Sequence, residues 1–144
     1  MIALIRIVGM IKVNKHVQET MSRLRLRKKY TCSIVDENKK EIFGMVDKVR
    51  NFIAFGKLDE KTLIELIKAR GKKIGNVKAK ISEAEATKAA KEVMAGKNLE
   101  ELKIKPWFGL HPARGGIETK LHYPRGVIGD NKEDINKLIM RMLW

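Results

Sequence analysis

Residues Arg23 to Lys29 carry five cations and no acid in seven positions. Two leucines alternate with the arginines, so one side of this basic segment can pack against a core while the other presents charge. Arginine's planar guanidinium forms paired hydrogen bonds with phosphate oxygens. A solvated helix end also favours cations through the helix dipole, but it needs fewer of them. The pattern therefore favours a phosphate-binding surface, made of Arg23, Arg25, Arg27, Lys28 and Lys29.

A second basic stretch runs from 68 to 80, with six cations and no acid, and its glycines break any helix. Lysines on such a backbone can follow an irregular line of phosphates, and Lys72 and Lys73 are the candidates. A flexible surface linker is the alternative interpretation of this stretch.

The stretch 105–116 combines cations, two adjacent aromatic residues, a histidine and several glycines. Aromatic residues more often pack in a core than stack on bases, so we expect at least one of Trp107 and Phe108 to be structural. Glycine lets a backbone approach another closely, and single-stranded or irregular RNA is held by stacking plus phosphate contacts. We therefore predict an RNA-contacting loop, whose candidate residues are Lys105, Trp107, His111, Arg114 and, further along, Arg125.

Catalytic and metal-binding patterns are weak. His111 and His122 with Asp130 could form a base and its orienting carboxylate, but no serine or cysteine nucleophile stands in a recognisable setting. The glycines at 109–116 lack the spacing of a phosphate-binding loop or a dinucleotide site. No histidine pair has metal-ligand spacing on a helix. We expect no enzyme, no metal and no cofactor.

The net charge points to an anionic partner. The chain has 31 lysines and arginines and 17 acidic residues, which gives a formal charge of +14. Repulsion between charges on this scale disfavours a compact state unless a polyanion relieves it. Nucleic acid is favoured because cations that displace counterions from phosphates supply most non-specific affinity. An anionic membrane surface and an acidic protein are the alternatives.

Neither a signal peptide nor an apolar run of membrane-spanning length is visible in the sequence. The single cysteine, Cys32, excludes a disulfide framework, and the alternation around it predicts a small buried hydrophobic residue in a strand. We expect a soluble, cytoplasmic protein with a reduced thiol.

The apolar periodicity predicts an α+β fold with a two-layer β-α-β-α-β core in residues 1–58. Its predicted elements are a strand over 2–8 ending at Gly9, a helix capped by Asn14, a strand over 30–35, a helix capped by Asn38, and a strand over 52–55 stopped by Gly56.

The sequence pattern of residues 59–144 predicts a mostly helical extension. Asp59 opens a helix that ends at Gly71, and Ser82 caps an alanine-rich helix that ends at Gly96. A long loop is predicted over 105–131, and residues 117–123 can form one strand within it. Loops of this length are usually functional or are ordered by a partner. A final helix follows, capped by Asp130 or Asn131.

Several segments together resemble the L30 family of large-subunit ribosomal proteins (L7 in eukaryotes), in its longer archaeal form. The segments that carry the resemblance are Val8-Gly9 and the stretches 24–30, 51–56, 66–71, 106–108, 112–116, 129–131 and 135–142. The resemblance implies a ferredoxin-like three-stranded sheet with the first strand central, backed by two helices, and a C-terminal extension absent from the short bacterial form.

The same resemblance implies contact with large-subunit rRNA near 5S rRNA, and neighbouring ribosomal proteins. We therefore expect a structural constituent of the large subunit, monomeric within it, with no membrane contact and no small-molecule substrate. The first alternative is an extra-ribosomal nucleic-acid-binding protein or RNA chaperone. The second is an enzyme that acts on an anionic substrate.

Overall fold

A computed structural model describes residues 2–7, 14–35, 40–50, 52–71, 81–95, 104, 107–111 and 128–143. These residues form helices packed on a mixed sheet, which confirms the predicted α+β class. In chain order the elements are β1 Ile2–Arg6, α1 Lys15–Arg23, β2 Thr31–Val35, α2 Lys40–Val49, β3 Ile53–Lys57, α3 Glu60–Arg70, α4 Glu83–Met94, β4 Trp107–Gly109, β5 Gly129–Asp130, a 3-10 turn Lys132–Asp134 and α5 Ile135–Leu143.

The strands form one mixed sheet in the order β4-β2-β1-β3-β5, with β1 in the centre as the family resemblance implies. The first strand pairs antiparallel with both β2 and β3, β4 is antiparallel to β2, and β5 is parallel to β3. The expected three-stranded sheet is thus extended at both edges. Both added strands come from within 105–131, where the sequence predicts a long loop.

Both faces of the central strand are buried. Leu4 packs with α1 and α2, whereas Ala3 and Ile5 pack with residues of α3, α4 and α5. The predicted two-layer unit is therefore present, and the C-terminal helices form a third layer on the other face of the sheet. The division into a 1–58 domain and a 59–144 extension stays a prediction.

Two predicted helix starts have the expected side-chain caps. The Asn14 Oδ1 atom accepts a hydrogen bond from the His16 amide at 2.9 Å, and the Ser82 hydroxyl accepts one from the Glu85 amide at 3.3 Å. Asn131 is the N-cap residue of the turn that leads into α5 but makes no side-chain capping bond, and Asp130 Oδ1 instead accepts from the Lys132 amide at 2.9 Å. These local signals position α1, α4 and α5 as the sequence predicts.

The third helix starts and ends where predicted, but the hydrogen bond found at its start is not a side-chain cap. Asp59 makes no side-chain capping bond. Its backbone amide instead donates to Asn136 Oδ1 at 2.9 Å, which ties α3 to α5. At the other end the Gly71 amide donates to the Ile67 carbonyl at 2.8 Å.

The prediction that Gly56 stops the third strand is wrong, because β3 continues to Lys57. A Cβ at Gly56 would collide with the carbonyl oxygen of Lys132 and lie 2.9 Å from Cβ of Ile135. The glycine therefore permits the turn before α5 to lie directly on the sheet.

Some predicted features fall outside the described residues. They are the strand end at Gly9, the capping Asn38, the helix end at Gly96 and the strand at 117–123.

Candidate nucleic-acid interface

The basic segment begins at the end of α1, in a helix-terminating turn. The amide of Arg25 donates to the Ser22 carbonyl at 3.0 Å, and the amide of Leu26 donates to the Met21 carbonyl at 2.8 Å. This pair of bonds is the Schellman arrangement, which requires a left-handed residue, usually glycine, after the helix. Here that residue is Arg25, at φ 64°.

The leucines of the segment are buried and its arginines are exposed, as the alternation predicts. Leu24 and Leu26 belong to the core cluster beneath α1 and α2. Arg23, Arg25 and Arg27 are exposed. Packing of the leucines therefore fixes the direction in which the charged side of the segment points.

A buried arginine in the central strand holds the segment from below. The Arg6 side chain is 1% exposed, and its Nη1 atom donates to the carbonyls of Leu26 and Arg27, both at 2.9 Å. The Tyr30 amide donates in turn to the Arg6 carbonyl at 2.7 Å. Burial lowers the pKa of Arg6, but a guanidinium in a protein remains charged. Arg6 therefore positions the backbone of the basic segment.

The sequence analysis did not identify this role of Arg6. The available signal was a single charged residue at the end of a strand otherwise made of Ile, Ala and Leu. A charge in a central strand is retained only when it is hydrogen-bonded.

A second residue with a left-handed backbone conformation directly follows the segment. Tyr30 has φ 64°, and its carbonyl accepts a hydrogen bond from the Leu110 amide at 3.0 Å. The Lys29 ammonium lies 5.0 Å from the centroid of the Tyr30 ring, within the range of a cation–π contact. The segment is therefore held at both ends by backbone hydrogen bonds.

The exposed side of the segment lines a cleft of about 530 Å³, which we term the basic cleft. Its lining residues are Ser22, Arg23, Arg25, Arg27, Lys28, Thr31 and Trp107. Among the lining residues that the structure describes there is no acid. Glu19 lies nearby and pairs with Arg23 at 2.9 Å, in an exposed i,i+4 contact of the kind that contributes little to stability. Four of the five predicted cations thus line one cavity, and Lys29 is not among its lining residues.

The structure also brings Trp107 to this cleft. Strand β4 pairs with β2 so that Phe108 lies opposite Cys32 and Trp107 opposite Ser33. Because side chains alternate along a strand, Phe108 is fully buried in the core and Trp107 is half-buried at the cleft. The prediction that at least one of the two aromatic residues is structural is confirmed.

The buried-hydrophobe interpretation of Cys32 is confirmed as well. Its side chain is completely buried, and burial raises the pKa of the thiol to about 12. The thiol is therefore neutral at physiological pH, and a nucleophilic role is disfavoured.

His111 lies elsewhere, in a groove of about 480 Å³ that we term the second groove. The residues that line it are Glu65, Lys68, Ala69, Arg70, His111 and Leu143. The backbone amide of His111 donates to the Met142 carbonyl at 3.0 Å. His111 and Trp107, which were predicted to belong to one RNA-contacting loop, therefore line different cavities.

The remaining candidates lie outside the described residues, and their RNA contacts stay predictions. They are Lys72, Lys73, Lys105, Arg114 and Arg125.

No group of three or more His, Cys, Asp or Glu side chains in the described part of the chain is arranged to hold a metal ion. None of the helices described here is both long enough and apolar enough to cross a membrane.

Comparisons with known proteins gave consistent matches. Residues 2–53 match the family described as Ribosomal protein L30p/L7e. The chain is 37% identical to the large ribosomal subunit protein uL30 of Archaeoglobus fulgidus, with 99% of each chain covered. It is 34% identical to the uL30 protein of Desulfurococcus amylolyticus and 35% identical to that of Staphylothermus marinus, each over 98% of this chain and 97% of the relative.

Proposed function

The chain belongs to the ribosomal protein L30p/L7e family, and on this basis we propose that it is a structural component of the large ribosomal subunit that binds rRNA through the basic segment. Its relatives carry the name of a large-subunit protein over almost the full length of this chain. The protein acts in the cytoplasm, as one copy per subunit, and carries out no catalytic step of its own.

The observation that carries the proposal is the basic cleft. Four cations and no acid are among its described lining residues, and its backbone is held by the buried Arg6 and by two left-handed residues. Because this backbone is fixed before RNA arrives, binding orders fewer groups and loses less entropy. Guanidinium groups then contact phosphate oxygens in pairs.

Phosphate contacts set the affinity, and the shape of the folded RNA sets the specificity. The further candidate residues add contacts from the C-terminal part of the chain, in the vicinity of 5S rRNA and of neighbouring ribosomal proteins. They are Lys72, Lys73, Lys105, His111, Arg114 and Arg125.

The first test is the double variant Arg25→Ala with Arg27→Ala, measured by equilibrium binding to a large-subunit rRNA fragment over a range of salt. Removal of two phosphate contacts should weaken binding and reduce the slope of log Kd against log salt by about 1.4 to 1.8. The matched control is Lys88→Ala with Lys91→Ala, which removes two exposed cations from α4. An equal loss of slope in both variants would show that only net charge matters and would remove the basic segment from the proposal.

The second test is sucrose-gradient fractionation of native lysate, with a salt wash of each peak. We expect the protein to sediment with the large subunit and to remain there at moderate salt. Recovery in free fractions or on DNA would instead support the extra-ribosomal alternative.

A further inference from the structure

We propose that the basic cleft binds one unpaired nucleotide of the RNA, with the base stacked on the indole of Trp107 and the adjoining phosphates on the surrounding arginines. This inference rests on the proposed RNA binding by the basic segment. It goes beyond it by assigning the cleft a ligand class, a nucleotide displaced from a helix, and by giving Trp107 a role separate from that of the cations.

The position of Trp107 follows from the register of three strands. Leu4 lies opposite Ser33, and Ser33 lies opposite Trp107. Residues that pair across a sheet project from the same face, so Trp107 projects from the face on which α1 and α2 pack. The last turn of α1, the basic segment and Thr31 at the start of β2 supply the other residues of the cleft.

The composition of the cleft suits a nucleotide better than it suits phosphate alone. A site for phosphate needs only the cations, yet Trp107 is part of the lining and is left half-buried by the protein. The neighbouring Phe108 shows that this strand can bury an aromatic ring completely. An aromatic surface beside several cations matches the two parts of a nucleotide, a flat base and a charged phosphate.

The size of the cleft agrees with a single nucleotide. Cavities of roughly 300–1,000 Å³ hold small organic ligands, and the basic cleft has a volume of about 530 Å³. A base within a duplex has both faces covered by its neighbours in the stack. Only a bulged, looped or terminal nucleotide can place a face against Trp107.

Trp107 fluorescence tests the inference in a protein that keeps the residue. The chain has two tryptophans, so Trp144→Phe leaves Trp107 as the single indole. The probes are two RNA hairpins of equal length and charge, one with a single bulged nucleotide and one fully paired. We expect the bulged hairpin to quench the emission at saturation and the paired hairpin to leave it nearly unchanged. Equal quenching by both, or quenching by neither while both bind, would overturn the inference.

Two substitutions at the same position separate stacking from packing. Trp107→Leu keeps an apolar side chain but removes the aromatic face, and should weaken binding of the bulged hairpin about five- to a hundredfold. Trp107→Phe keeps an aromatic face and should restore most of that loss. Both variants should bind the paired hairpin as the parent does, and thermal unfolding verifies that each is folded.

These outcomes distinguish the two proposals. If the parent protein binds neither hairpin, the proposed RNA binding itself fails. If it binds both with the same affinity, and Trp107→Leu changes neither affinity, the cleft binds phosphate without a base and only the present inference fails.

Discussion

Two cationic cavities lie beside β4, and they use their charges differently. In the part of the chain that the structure describes, the basic cleft is lined by four cations and by no acid. The second groove contains Lys68, Arg70 and His111 together with Glu65. Arg70 donates to the carbonyl of Leu143 at 3.4 Å, and Lys68 lies 3.8 Å from Glu83.

The comparison shows that a count of cations does not identify a binding surface. In the second groove the cations bind carbonyl and carboxylate groups of the protein, and their contacts connect α3 to α4 and α5. In the basic cleft the charges accumulate on a backbone that other groups hold in place, chiefly the buried Arg6. One of the cleft's cations, Arg23, is paired with Glu19, and the basic cleft as a whole keeps an excess of positive charge for an external anion.

The largest expected effect is a loss of stability on the face of the sheet that carries α5, opposite the face with the basic cleft. Gly56→Ala places a methyl group against the Lys132 carbonyl, so it should displace the start of α5 and lower the free energy of unfolding by about 3 kcal/mol. RNA binding at the basic cleft should persist at temperatures where the variant is folded. Urea unfolding and RNA titration measure the two quantities.

The matched control for this variant is Gly44→Ala. Gly44 lies in α2 with nothing within 4 Å of an added Cβ, and alanine should stabilise the helix by about 1 kcal/mol. A similar loss of stability in both variants would contradict the explanation given for Gly56.

The next prediction tests whether Arg6 holds the backbone of the basic segment in place. Arg6→Met leaves the carbonyls of Leu26 and Arg27 without their donor and should destabilise the fold by about 2–3 kcal/mol. RNA affinity should fall as well, although Arg6 is buried away from RNA. Arg23→Met makes the same substitution at an exposed site and should change stability by about 0.5 kcal/mol or less. Equal stability of the two variants would refute a positioning role for Arg6.

The smallest effect concerns the left-handed residue inside the segment. Arg25→Gly removes a side chain from a conformation that costs an L-residue about 1 kcal/mol, so it should raise stability by roughly that amount while weakening RNA binding. Arg27 is not among the left-handed residues, so Arg27→Gly should lower both. Loss of stability in Arg25→Gly would show that the conformation is not strained. Thermal unfolding with RNA titration of each variant is the measurement.

Local signals in the sequence predicted much of the N-terminal architecture and the helix ends. Asn14 and Ser82 cap helices because a side chain bonds to an amide two or three residues away, and such short-range chemistry is visible in the sequence. The alternation of leucine and arginine likewise predicted which side of the basic segment is buried.

The features that the sequence did not indicate depend on contacts between residues that are far apart in the chain. Strand β4 has three residues and too short a pattern to detect, and its structure comes from pairing with β2. Gly56 resembles a strand terminator until α5 is placed against it. The meeting of Trp107 with the basic segment has the same origin, because no local pattern encodes a contact made through a sheet edge.

The two edge strands also bear on how the chain is made. Strands β2 and β3 have outer edges that β4 and β5 cover, yet the covering residues are translated tens of residues later. At about 5–20 residues per second, both edges stay open for roughly several seconds, and open edges are templates for pairing with other chains. The last third of the chain therefore supplies the strands that cover both edges, and their pairing removes two templates for contact with other chains.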